Sequence, residues 1–191
     1  MPQQSAPHRE FRAFLPAVLL GLVLTYYVGL IWSISNRANS VDFVQFFVSA
    51  RAVVDGESLY APLLMSDIGM VLPEGRDPLE PLHPNLNPPL LAVLLAQVSV
   101  FGISAAYAIW TGVSLACGLL ACAWISRAVR PAGVTDAALV WFWLALLVYY
   151  PTHTAVMLGQ VTFVLMALVT GAWMAARGRH DRTAGILLGI A

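Results

Sequence analysis

PPLLAVLLAQVSVFGISAAYAIWTGVSLACGLLACAWIS, residues 88–126, is an apolar run of 39 residues without one charged side chain. A helix needs about 20 apolar residues to cross a membrane. The run is therefore either two spans, or one span preceded by a helix of another kind. Two spans would put Arg127 and Arg130 outside, and the later RGRHDR cluster at 177–182 with them. Basic loops favour the cytoplasmic side, and a single span satisfies that rule at both clusters. Residues 89–101 then read as a helix near the membrane interface, with Pro89 suited to its first turn. Gly102 is the break, and residues 103–126 are the span.

The flanking sequence fits this reading. The chain of 191 residues is 59% hydrophobic and 10% charged, where soluble domains carry about 25% charged residues. It reads as an all-α integral membrane protein. Net charge is zero, which gives nucleic acid no basic surface to bind. A first span is expected over 14–34, behind His8, Arg9 and Arg12. No small-residue cleavage site follows it, so it reads as an anchor rather than a signal peptide. The basic flank puts the N-terminus in the cytoplasm.

Residues 35–102 form the first outer loop, with seven acidic residues but only three arginines between 35 and 87. Further spans are expected over 134–150 and 155–176, with 151–154 as an external turn. The start of another lies at 183–191, so the sequence reads as the N-terminal part of a longer transmembrane unit. Cys117 and Cys122 are five apart, on different faces of one helix, and read as packing residues.

Within the outer loop, Asp42–Val54 has helical periodicity. Asp42, Gln45 and Ser49 share one side; Phe43, Phe47, Ala50 and Val54 share another. This is the pattern of an amphipathic helix resting in the interface, and Asp55-Gly56 stops it. Six prolines between Pro73 and Pro89 impose extended structure and turns. Asp42 has two readings. As a first-turn acid, capped by Asn39 or Ser40, it favours the helix dipole by about 0.3–1 kcal/mol. As a general base it takes a proton from an acceptor hydroxyl. Gln160 likewise either bonds a neighbouring helix or lines a polar cavity.

Three segments carry a resemblance. VDFVQFFVSARAVVDGESLYAP (41–62), NLNPPLLAVLLAQVSVFG (85–102) and GQVTFVLMALVTGAWMAARGRHDRTAGILLGIA (159–191) resemble, in order, stretches of the GT-C membrane glycosyltransferases. The nearest likeness is to glycosyltransferase family 87, the polyprenol-phosphate-mannose-dependent mannosyltransferases and their relatives. The resemblance implies a GT-C-like multi-span bundle with two juxtamembrane helices, 42–54 and 89–101, in its first outer loop. It implies transfer of a sugar, mannose foremost, from a polyprenyl-phosphate donor to a glycan or glycolipid hydroxyl on the extracytoplasmic face of the plasma membrane.

By the same resemblance Asp42 is the catalytic base. Gln45, Tyr60, His83, Asn87, His153 and Gln160 are the candidate substrate contacts. Many GT-C enzymes pair two acids at this place. Here Phe43 follows Asp42, so neither a metal nor another cofactor is expected. The alternative is a non-catalytic membrane protein: a transporter module, an assembly partner or an inactive paralogue. A transporter would place charged or broken segments at mid-membrane, and here the polar residues gather at the outer side.

Overall fold

The structure is a computed structural model that describes residues 6–36, 41–59, 89–129 and 134–191. Every regular element among them is a helix. In chain order these are α1 (Ala6–Ser35), α2 (Val41–Asp55), α3 (Pro89–Ser99), α4 (Ile103–Val129), α5 (Asp136–Val148), α6 (Tyr150–Leu158), α7 (Thr162–Arg177) and α8 (Asp181–Ile190). Among the described residues, two helices are long and apolar enough to cross a membrane: α1, over Phe14–Ser35, and α4. Helices α5 and α6 meet at a 56° bend and would make a third span if counted as one.

The bend has a local cause. Pro151 sits in the first turn of α6. It has no N–H to donate, and its ring clashes with the carbonyl four residues back, that of Leu147. The structure reassigns the freed carbonyls. Tyr27 of α1 donates its hydroxyl to Leu147 O at 2.6 Å, and Thr152 donates to Leu146 O at 2.7 Å. A break inside an apolar bundle persists only when such neighbours satisfy it. Residues 151–154, expected as a turn, therefore lie inside α6. The chain changes direction earlier, at Tyr149.

Two buried clusters hold the bundle together. One joins Phe43, Phe46, Phe47 and Ala50 of α2 to Leu91 and Leu95 of α3 and to Ala106, Tyr107 and Trp110 of α4. The other joins Tyr27 of α1 to Leu147, Ala155, Val156 and Phe163. Helix α2 is thus covered on more than one side. Phe43, Phe47 and Ala50 are buried as their periodicity requires, but so is Ser49, expected on the polar side. Its hydroxyl is satisfied locally by Gln45 O at 2.8 Å. Val54, expected on the apolar side, is exposed.

Helices α4 and α7 run side by side in the same direction. Phe163 packs on Gly118, and Trp124 packs on Gly171 one turn and more further along both chains. Where lipid tails are as apolar as the helices, close van der Waals approach drives such packing, and small residues permit it. A Cβ on Gly118 would stand 3.0 Å from the Phe163 ring. Gly118→Val is expected to destabilise the bundle by about 1–3 kcal/mol through overpacking, read as a lower thermal midpoint in detergent. Gly112, with nothing within 4 Å of its Cβ position, is the matched control on the same helix.

Candidate functional site

The break between α6 and α7 builds the site. Gly159 closes α6 in the left-handed region, at φ +66°. Its N–H and that of Gln160 turn back to Val156 O and Ala155 O at 3.1 and 2.9 Å. The chain then passes through Val161 into α7. What sets the break in place is one face of α4. Tyr107 donates to Val156 O at 2.9 Å, Trp110 donates its indole N–H to Gly159 O at 2.8 Å, and Ser114 donates to Gln160 O at 3.2 Å. These three residues stand at i, i+3 and i+7, the spacing of one helical face.

Helix α2 closes the other side of the break. Phe43, 1% exposed, packs edge-on against the Tyr107 ring, with centroids 5.4 Å apart. Its Cβ would stand 2.9 Å from a Cβ on Gly159, a contact so close that only glycine fits. This approach brings the first turn of α2 against the α6–α7 break. There the Gln160 side-chain amide donates to Asp42 Oδ2 at 3.1 Å. Both side chains are half-buried. The Thr162 hydroxyl reaches Gln160 Oε1 at 3.5 Å, at the outer limit for a hydrogen bond.

The amide orientation follows from chemistry. An ionised carboxylate only accepts, so the NH₂ end of Gln160 must face Asp42 and the carbonyl end must face Thr162. The result is one carboxylate with one oxygen held by a fixed donor, at the meeting point of α2, α4, α6 and α7.

Of the residues expected from sequence, the structure brings Asp42 and Gln160 together across 118 positions of chain. Gln45 lies one turn along α2 from Asp42, half-buried. His153 lies in a ring stack, between Tyr26 of α1 at 6.0 Å and Tyr150 at 6.4 Å. Tyr60, His83 and Asn87, and the expected caps Asn39 and Ser40, lie outside the described residues. Sequence reasoning missed Tyr107, Trp110 and Ser114. Their signal was available as three hydrogen-bonding side chains at heptad spacing on one face of a largely apolar helix.

The hollow on the far side of Phe43, lined by Ile34, Ser35, Ile103, Ser104 and Tyr107, measures about 10 Å³. That is the scale of a single water and does not admit a sugar.

The model of glycosyltransferase family 87 matches residues 85–191, more than half of the chain. No curated protein and no solved structure matches it. The matched stretch contains the whole of α4, α6, α7 and the Gly159-Gln160 break, and its partner carboxylate, Asp42, lies ahead of it. The family decides between the readings that the sequence left open, in favour of a transferase. The chain belongs to glycosyltransferase family 87.

Proposed function

We propose that this glycosyltransferase moves a sugar, mannose foremost, from a polyprenyl-phosphate donor to a glycan or glycolipid hydroxyl on the extracytoplasmic face of the plasma membrane. Asp42 is the base. The observation that carries the reading is the hydrogen bond between Gln160, inside the family's matched stretch, and Asp42, outside it. The bond ties the one acid at the head of α2 to the α6–α7 break inside the family segment.

The chemistry needs little more than this. The Asp42 carboxylate accepts the proton of the acceptor hydroxyl as that oxygen forms a bond to the anomeric carbon. The bond from that carbon to the donor phosphate breaks, and the polyprenyl phosphate leaves with its electron pair. A base must come within about 2.6–3.2 Å of the proton-bearing oxygen, which the half-buried Asp42 can offer on its open side. Phe43, where many GT-C enzymes carry a second acid, is buried against Gly159 and Tyr107. Departure of the phosphate is therefore assigned to cationic or hydrogen-bonding side chains rather than to a resident metal.

The arrangement of helices supports the sidedness. With the N-terminus cytoplasmic, α1 runs outward and α4 inward, α5 and α6 return as one bent span, and α7 runs inward. The parallel packing of α4 and α7 agrees with that order. Arg127, Arg177, Arg179 and Arg182 then share the cytoplasmic side. Helix α4 has 27 residues, more than the roughly 20 that a span needs. Its first turns stand above the hydrocarbon, packed on α2 and α3, and Asp42 lies near the outer boundary.

The test uses the full chain in vesicles with three labelled donors: polyprenyl-phosphate mannose, polyprenyl-phosphate glucose and a nucleotide-linked mannose. Transfer from a lipid-linked donor presented on the outer face is expected. Transfer from the nucleotide sugar alone would overturn the donor class, and preference for glucose would correct the sugar.

A further inference from the structure

Resting on the reading of Asp42 as base, we infer that Gln160 is a positioning residue for that base rather than a substrate contact. Its amide holds Asp42 Oδ2 at 3.1 Å and leaves Oδ1 as the atom that takes the acceptor's proton.

The geometry around Gln160 is that of a fixed donor. Its N–H is tied to Ala155 O at 2.9 Å and its C=O to the Ser114 hydroxyl at 3.2 Å. The carbonyl just before it is tied to the Trp110 indole at 2.8 Å. Backbone held on both sides leaves the side chain few directions to explore. A catalytic carboxylate performs best when a supporting shell fixes its rotamer. Asp42 gains its orientation from this contact. A glutamine that served only the substrate would keep both N–H groups for a sugar hydroxyl or phosphate; here one is engaged by the protein's own acid.

The test compares three variants of the full chain in vesicles, with polyprenyl-phosphate mannose as the donor probe. Gln160→Met keeps the length and removes the donor. Its kcat is expected to fall about tenfold, with the donor KM within twofold of the parent. Gln160→Glu keeps the shape but replaces the donor by a carboxylate, and its kcat is expected to fall at least as far, again with the donor KM near the parent's. Asp42→Asn is the reference for the underlying reading and is expected to lose about 10²–10⁴-fold in turnover.

A kcat near the parent's in both Gln160 variants, beside a strongly impaired Asp42→Asn, overturns the positioning role and leaves the base in place. A raised donor KM with normal kcat returns Gln160 to the substrate. A fully active Asp42→Asn sinks the base reading itself, and the positioning role with it. Should Gln160→Met fail to fold, the kcat and donor KM of Gln160→Glu decide by the same criterion.

Discussion

Asp42→Asn is expected to lower turnover by about 10²–10⁴-fold, the usual worth of a positioned general base, while the protein stays folded. The substitution suits the question because it separates charge from shape. Asparagine has the same size, and its Oδ1 still accepts from the Gln160 amide. It also tolerates helix starts about as well as aspartate. What it loses is the negative charge in the first turn of α2, worth about 0.3–1 kcal/mol against the helix dipole.

The two readings of Asp42 thus predict different measurements. A base gives a large fall in kcat with a thermal midpoint in detergent close to the parent. A purely helix-favouring acid gives a small fall in midpoint with turnover intact. Asp42→Glu adds a distance test. It keeps the charge but moves the carboxylate by one methylene, away from the oxygen geometry that Gln160 sets. A displacement of about 1 Å can cost on the order of 10²-fold, so partial activity between parent and Asn is expected.

How much of this could be read beforehand differs between the elements and the site. Helices α2, α3 and α4 follow from local signals: periodicity from Asp42, a proline at residue 89, a glycine break at residue 102. The family was likewise legible, and two of the three segments that carried the resemblance, 85–102 and 159–191, lie inside the matched stretch. Asp42 and Gln160 were each singled out, but their contact spans 118 residues. It depends on how α2 and α7 seat on α4, which no local pattern encodes.

The bends were hidden for a related reason. Periodicity sees that residues 155–176 are apolar, but not that Gly159 adopts a left-handed conformation, since glycine occurs inside membrane helices without breaking them. The break is decided by Tyr107, Trp110 and Ser114, some 50 residues earlier, which offer the loose carbonyls a better partner than continued helix would. For α2 the amphipathic pattern was right about Phe43, Phe47 and Ala50. It could not foresee that Ser49 would also be covered and Val54 left exposed.

Gly159→Ala is expected to be the most damaging substitution of a single small residue in the described chain, at about 2–5 kcal/mol of stability together with most of the activity. Two effects combine. The backbone sits at φ +66°, a region that a Cβ disfavours by about 1 kcal/mol or more. The new Cβ would also meet Phe43 Cβ at 2.9 Å, inside any normal contact distance. The opposing atom is the first atom of the Phe43 side chain, so no rotamer change moves it away; α2 and the α6–α7 break have to separate.

Separation breaks the site directly, because Gln160 is the next residue and Asp42 precedes Phe43. Gly56 supplies the control. It has nearly the same backbone, φ +72°, with nothing among the described residues within 4 Å of its Cβ position. Gly56→Ala therefore reports the conformational cost alone and is expected to leave turnover near the parent's. The difference between the two thermal midpoints isolates the approach of α2 to the break. Equal midpoints, or full turnover in Gly159→Ala, would mean that the packing of Phe43 on this turn does not hold Asp42 and Gln160 together.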